Sequence, residues 1–446
     1  MSAVPPSSPL SPSVRLPDRA DVVVVGGGLA ALCAALAARQ AGAGVLLLEQ
    51  AGPALRGGNT RHSRNLRLTH DAPGPLMPGS YRAEEFIADL RRASKGDGDP
   101  ALHALLATES VRLADWLARC GVHFQTEHLP YSRKTAFFLG GGKAAVNSLY
   151  ATAARSGIDV RLHAGVAAVD PLSSSYGSSS GLSSGPLRVV LDSGAAVQAG
   201  AVVVACGGYQ ANPDWLAAEW GPLAATLHNR GTPHADGQVL RHLLQAGAQP
   251  SGAPGRGHLV AVDGRSPRHD GGIVTRVDGF GCGRVIDAAG TLLTPPGETG
   301  PPRYSAWGRR VAAGAGGRAV LVVEARRAAE LPMRVYPPLP CATAAEAAAL
   351  AAIPPQAMEA ALSGLEPPFL LVPVHPGLTF TGLGLTVDPA LRVQRADGGH
   401  WPGLYAAGMI IAPQILGSGY IAGAALTVSA VTGRRAGEEA ARYVRS

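Results

Sequence analysis

A strand, a glycine turn and a helix stand in fixed order at residues 21–49, and they restrict this chain more than anything else in it. Asp21 is followed by Val22-Val-Val-Val25, then Gly26-Gly27-Gly28-Leu29-Ala30-Ala31, an alanine-rich stretch, and Val45-Leu-Leu-Leu48-Glu49. Four β-branched residues in succession predict a strand buried on both faces, as in a parallel sheet. Gly26 and Gly28 let the backbone turn tightly and approach a pyrophosphate, which a helix N-terminus holds through its amides and positive dipole end. Ala31 fills the third slot of G-x-G-x-x-A, where only a small side chain lets the helix pack close to the strand. Glu49 closes the second strand, about 20 residues on, where a carboxylate accepts hydrogen bonds from a ribose. The unit predicts an α/β fold with a Rossmann-like domain that holds an adenine dinucleotide.

At 446 residues the chain suggests two domains, or one large domain with an insertion. A hydrophobic content of 46 % with 16 % charge describes a globular protein rather than a disordered one. The net charge of +7 is spread without a run of consecutive Lys or Arg, so nucleic-acid binding is not indicated, whereas small anionic substrates are suited. Five scattered cysteines lack C-x-x-C or metal-ligand spacing, which argues against a structural zinc, an iron–sulfur cluster and a disulfide framework, and no metal site is expected. Residues 1–20 are Pro/Ser-rich and read as a disordered leader, and no uninterrupted apolar stretch reaches membrane-spanning length. A cytoplasmic location is expected.

Two later strands also end in glycine, Ala201–Gly208 and Pro402–Gly408, and a helical pattern runs from about Gly419 to Arg442. Between them the segment 222–373 is rich in Gly, Pro and Arg with only short strand and helix patterns, and Ser173–Gly185 reads as a mobile loop. Helical patterns lie near Ala83–Arg92 and Pro100–Cys120. The expected organisation is a discontinuous nucleotide domain, 21–221 and 374–446, interrupted by an α+β capping domain at 222–373. All three glycine-ended strands should meet at one crevice. A return to the nucleotide domain late in the chain is a flavoprotein trait.

The motifs resemble the flavoprotein subunits of the succinate dehydrogenase/fumarate reductase superfamily. Within it they are similar to the tricarballylate dehydrogenases and to the flavin-binding half of a cobalamin-biosynthetic enzyme. The resemblance rests on Gly26–Ala35, Arg56-Gly-Gly-Asn-Thr-Arg-His-Ser-Arg-Asn-Leu-Arg67 with its extension to Pro73, Gly121–Phe124, Ala136–Ala144, Pro376–Thr381 and Leu416–Gly423. It implies noncovalent FAD, since the segment Gly52–Arg56 lacks the histidine that carries covalent flavin. It also implies that Gly26, Gly28 and Ala31 hold the pyrophosphate, Glu49 the adenosine ribose, and Gly57, Gly58 and Asn59 the flavin end. Val166 would lie near the adenine, with Gly207, Gly408 and the Gly417–Gly423 segment, including Gly419 and Ile421, completing the enclosure.

Oxidising a CH–CH unit flanked by carboxylates requires cations that polarise the adjacent carboxylate in a water-excluded site. Arginine's fixed fork suits carboxylates. Candidates are Arg61, His62, Arg64, Arg67 and His70 after the glycine pair, and Arg303, Arg309 and Arg310 in the insertion, with Arg309 as base or clamp. His375 is a candidate ligand or proton relay, Thr379 and Thr381 candidate donors, and His234 and Asp236 candidate loop contacts. Each of these taken singly also reads as a solvated charge, a satisfied histidine or an ordinary strand threonine. Where succinate dehydrogenases have a substrate histidine and a substrate arginine, this chain has Phe380 and Tyr420, so Tyr420 becomes a candidate donor or acid and plain succinate chemistry is disfavoured.

The leading expectation is an FAD-dependent dehydrogenase oxidising tricarballylate or a similar polycarboxylate to an unsaturated acid such as cis-aconitate. Electrons would pass to a separate membrane-associated iron–sulfur partner, which would hold the chain peripherally at the inner membrane. The alternatives are the flavin component of precorrin oxidation, a fumarate-reductase-like enzyme of another substrate, and a flavin-binding protein without carboxylate chemistry.

Overall fold

The computed structural model describes residues 16–126, 133–171, 186–293, 304–417 and 419–446. In chain order it contains β1 (Arg19–Val25), β2 (Val45–Leu48), a short ribbon of β3 (Asn65–Arg67) and β4 (Thr135–Phe137), then β5 (Asp159–Arg161), β6 (Val166–Pro171), β7 (Leu187–Leu191) and β8 (Ala196–Val204). There follow β9 (His228–Asn229), β10 (Pro250–Asp263), β11 (Arg284–Asp287), β12 (Ala319–Glu324), β13 (Leu339–Cys341), β14 (Phe369–Leu385), β15 (Arg392–Gln394) and β16 (His400–Ala406).

The valine run and its partners build the first sheet, ordered β15-β16-β8-β1-β2-β5, with the β6–β7 hairpin joined through β8. β16, β8, β1, β2 and β5 are mutually parallel, with Val24 opposite Leu47 on one side and Val203 on the other. Val22 to Val25 are almost wholly shielded from solvent. A parallel strand buried on both faces needs this apolar, β-branched composition. The glycine-loop helix Leu29–Gln40 packs against helix Ala424–Tyr443, where a Cβ at Gly433 or Gly437 would collide with the carbonyls of Ala30 or Ala34. The late segment is thereby locked onto the first βαβ unit.

The second sheet is ordered β10-β14-β12-β11 and is antiparallel, with β13 and β9 also paired to β14. Helix Tyr304–Ala313 lies on it, burying Trp307, and helices Ala344–Ala351 and Pro355–Leu362 cover a separate small core around Met358 and Phe369. Among the described residues the α/β architecture thus has two large sheets, one with a parallel centre and one mainly antiparallel, besides the β3–β4 ribbon.

Several sequence expectations need correction. The leader does not reach residue 20: β1 begins at Arg19, because Arg19 and Ala20 pair with Gln198 and Ala199 of β8, while residues 1–15 lie outside the described part. The boundary expected at 373 falls inside β14, a continuous 17-residue strand of the second sheet. β10 is also long, at 14 residues; its Gly and Pro are absorbed by irregular register between Gly252 and Gly257 rather than ending the strand. The pattern from Pro100 to Cys120 divides into helices Pro100–Ser110 and Leu113–Arg119. The helix expected from Gly419 begins at Ala424, after Gly423 in the left-handed region. The loop Ser173–Gly185 lies outside the described residues.

Candidate active site

The carboxyl ends of β1, β2 and β8 open into a cavity of about 1180 Å³ including its mouth. Its walls carry Gly26–Ala30 from the glycine turn, Glu49 and Gln50 after β2, Val166 on β6 and Cys206-Gly207 after β8. At the far end stand Gly58, Asn59, Thr379, Phe380, Met409 and Tyr420, with Ala425, Leu426 and Ser429 from the start of helix Ala424–Tyr443. The long helix therefore aims its first-turn amides, the positive end of its dipole, at this end of the cavity.

Asn59 fixes that end. Its side-chain amide donates to the Thr379 carbonyl at 2.8 Å and accepts from the Thr232 amide at 2.9 Å, tying the glycine loop to β14 and to the loop after β9. Thr60 accepts from the Leu29 amide at 3.0 Å, which satisfies one of the open donors at the helix start.

A second cavity, of about 1520 Å³ including its mouth, shares Asn59, Ser63, Thr379, Tyr420, Ala425 and Leu426 with the first. Arg64, Arg67, Arg133, Lys134, Arg230 and Arg276 line it, and no carboxylate does among the described residues. Arg230 donates to the Thr379 hydroxyl at 2.9 Å, which places its guanidinium beside the shared wall. The Tyr420 ring stacks on His258 at 4.2 Å, and His258 lies 5.3 Å from Phe380. Burial, aided by the charges of Arg230 and Arg309, pushes the His258 imidazole down to about 3, so it stays neutral at working pH.

Of the expected residues, Gly26, Gly28, Glu49, Gly58, Asn59, Val166 and Gly207 line the first cavity, as do His234 and Asp236. Ala31 is buried inside its helix, while Gly57, Gly408 and Gly419 stand behind the wall, against Val146, Ala30 and Ala93. Ile421 does not line either cavity, although Tyr420 and Ala422 beside it do. His62, Arg64 and Arg67 reach the second cavity, though His62, like Arg61, is engaged by the Asp270 carboxylate, and His70 hydrogen-bonds the Leu68 carbonyl.

His375 is not brought to the site. Its place on β14, four residues and roughly 13 Å along the strand from Thr379, puts it instead against the Thr226 carbonyl and the edge of His228. Thr381 likewise accepts from the Tyr209 amide and lines neither cavity. Arg309 is exposed on helix Tyr304–Ala313 and does not line the second cavity, though its charge reaches His258. Arg303 lies outside the described residues. Arg230, Arg276, His258, Arg133 and Lys134 were not anticipated. Only Arg230 had a local signal, standing directly before Gly231-Thr-Pro-His-Ala-Asp-Gly237.

The family model described as "FAD binding domain" matches residues 21–420, which include nearly all of both sheets and most of the lining of both cavities. The chain belongs to this FAD-binding family. The fumarate reductase (cytochrome) of Shewanella frigidimarina is 27 % identical over 209 residues, 45 % of this chain and 35 % of that protein. The aligned part is thus about a third of that curated relative's length. Among solved structures, the open conformation of a flavocytochrome c3 fumarate reductase matches with a TM-score of 0.77 and 20 % identity, covering 96 % of this chain and 79 % of that one. The 3-ketosteroid Δ1-dehydrogenase of Sterolibacterium denitrificans, in complex with 1,4-androstadiene-3,17-dione, matches with a TM-score of 0.74 and 15 % identity, covering 96 % of this chain and all of that one.

FAD fits what the first cavity offers. At Gly27 a Cβ would collide with the Tyr150 hydroxyl and the Glu49 carboxylate, so only glycine leaves the acid in place beside the turn. Glu49 accepts from the Ala51 amide at 2.7 Å. Burial lifts its carboxyl from 4.5 to about 7, against the opposing pull of the Ala51 and Gly27 amides. The folded FAD-free protein therefore keeps a proton that the unfolded chain has lost, and its stability falls as pH rises from about 4.5 to about 7. The loss is on the order of 3 kcal/mol. Glu49→Gln is expected to abolish this component, so denaturant melts of deflavinated protein at pH 5 and pH 8 should diverge between wild type and variant. Parallel losses in both would contradict the assignment.

Proposed function

We propose that this FAD-binding chain is a dehydrogenase that removes hydrogen across a CH–CH unit of a polycarboxylate. Tricarballylate, yielding cis-aconitate, is the substrate that suits it. The observation that carries this reading is the second cavity: six cations, no lining carboxylate among the described residues, and a wall in common with the FAD cavity. A neutral steroid skeleton would offer these cations no counter-charge beyond Asp89, Glu85 and Asp278, the internal carboxylates that already hold four of them. A wall of six cations against fewer supporting carboxylates favours a bound carboxylate, and arginine binds it in a fixed orientation.

Bound FAD supplies the two-electron acceptor. The chain's own residues do the rest. Arg230, and Arg276 held by Asp278, bind and polarise a substrate carboxylate, which acidifies the C–H bond beside it. The first-turn amides of helix Ala424–Tyr443 stabilise negative charge that accumulates at the shared wall. Tyr420, backed by the neutral His258, presents a hydroxyl to the same space. Arg64 stands farther out, over the Phe137 ring, and Arg309 acts only through its charge. The glycine turn, Glu49, Asn59, Val166 and Gly207 hold the cofactor.

Electrons leave to a separate iron–sulfur partner at the membrane, with the chain on the cytoplasmic side. No helix among the described residues is long and apolar enough to cross a membrane. The second cavity opens to solvent at its mouth, so a bulkier polycarboxylate such as a precorrin, reaching out of it, is the second reading.

Anaerobic mixing of the holoprotein with tricarballylate, succinate, citrate, a precorrin and 4-androstene-3,17-dione tests this. Bleaching of the flavin by tricarballylate, with cis-aconitate formed in equal amount, is expected. Bleaching by the steroid alone, or by succinate and not tricarballylate, would overturn the reading; bleaching by the precorrin alone would select the second one.

A further inference from the structure

The cations of the second cavity fall into two groups on different elements. Arg230 lies beside Thr379, which lines both cavities, and marks the reacting end. Arg64, Arg67, Arg133 and Lys134 all belong to the β3–β4 ribbon or its approach, and none of them lines the FAD cavity. Strand pairing puts Arg67 opposite Thr135, and the Leu68 amide donates to the Lys134 carbonyl, so the two strands present their cations together.

These cations are held from behind. Lys134 lies 2.7 Å from both Glu85 and Asp89, Arg133 pairs with Glu85 at 2.6 Å, and Arg67 reaches Asp89 at 3.1 Å and the Tyr81 hydroxyl at 2.9 Å. Arg133 and Lys134 hold the Glu85 carboxyl down at about 2, so the support stays ionised at working pH. Arg64 has no ion-pair partner among the described residues and leans on the Phe137 ring at 5.6 Å. The ribbon thus presents four cations against two carboxylates that point away from the cavity, leaving charge for an incoming anion. An unpaired cation beside anchored ones is a preorganised carboxylate site.

We infer that the β3–β4 ribbon is a distal carboxylate subsite, which binds a carboxylate not attached to the reacting carbons and so selects tricarboxylates over dicarboxylates. This rests on the polycarboxylate reading of the second cavity. Its recognition element is the juxtaposition of Arg64 with the anchored Arg133 and Lys134, separated from Arg230 by the cavity.

The test is equilibrium binding to oxidised holoprotein, read from the visible flavin spectrum and by calorimetry, with tricarballylate and succinate as probes. Wild type should bind tricarballylate roughly 10–100-fold more tightly than succinate, the worth of one added charge-assisted interaction. In Arg133→Gln and in the double variant Arg64→Gln/Arg133→Gln that preference should fall towards one, while Arg133→Lys should retain most of it. FAD content and thermal midpoint report whether each variant is folded. A preference unchanged in the folded variants, or absent in wild type, overturns the subsite. Tight, ribbon-dependent tricarballylate binding without flavin bleaching would instead sink the dehydrogenase reading and leave the subsite standing.

Discussion

Arg230→Gln is expected to lower turnover about 10²–10³-fold while the purified protein keeps its FAD, the scale seen when one preorganised charge is removed from a developing anion. Arg230 meets the Thr379 hydroxyl at 2.9 Å, and Thr379 lines both cavities, so the guanidinium stands where cofactor and substrate chambers meet. Glutamine retains hydrogen-bonding capacity and loses the charge. The loss should therefore appear in kcat more than in KM if the charge acts on the transition state, and in KM alone if it only holds substrate. Steady-state rates with tricarballylate, together with the flavin spectrum of the same sample, separate these outcomes. Near-normal turnover would remove Arg230 from the mechanism.

Gly27→Ala should yield protein that folds and is nearly colourless. The new methyl group meets the ends of two side chains, the Tyr150 hydroxyl and the Glu49 carboxylate, rather than backbone. Both can swing aside, so the first sheet survives. Their displacement, however, takes Glu49 out of the ribose position and pushes a methyl towards the pyrophosphate turn. The loss of one charge-assisted hydrogen-bonding group is worth about 1.5–3 kcal/mol, or roughly 10–100-fold in FAD affinity, before the steric cost is added. Flavin content after purification, and the dissociation constant on reconstitution, measure it. Full occupancy in the variant would show that the turn does not carry the cofactor as described. Gly26→Ala is a different case, because its φ of 112° and its contact with the Ala205 backbone oppose any side chain, and folding itself should suffer.

The difference between what the sequence disclosed and what it concealed follows from the range of the interactions. The Val22–Glu49 unit is local: one strand, one turn, one helix and one acid within a short span, each with its own residue signature. Its parallel partners were legible too, since the valine run at 202–204, ending in glycine, reads as a strand buried on both faces. The second sheet was not. β10 and β14 carry Gly252, Gly255, Gly257, Pro373, Pro376 and Gly377, residues that ordinarily interrupt strands. Their pairing, with His258 opposite Phe380 and Val262 opposite His375, is set across more than a hundred residues.

That register decides which side chains enter the cavity. Phe380 and Thr379 reach it, whereas Thr381 and His375 do not. A sequence motif around Pro376–Thr381 identifies the strand but not the register shift at Thr379, where neighbouring Thr379 and Phe380 both come to line the cavity. The same holds for Arg61 and His62, whose spacing after the glycine pair suits a substrate carboxylate; an internal one, Asp270 on the loop after β10, occupies them instead. Arg133 and Lys134 become visible as site residues only once β4 is laid against β3.

The central claim is that FAD and an anionic substrate occupy adjoining chambers that meet at Thr379, Tyr420 and the start of helix Ala424–Tyr443. A crystal structure of the oxidised holoprotein with tricarballylate tests it most directly. FAD should fill the glycine-turn cavity, with the tricarboxylate in the cationic chamber on Arg230 and on the β3–β4 ribbon. Flavin walled off from that chamber, or tricarballylate seated elsewhere with the arginines still turned to solvent, would contradict the account.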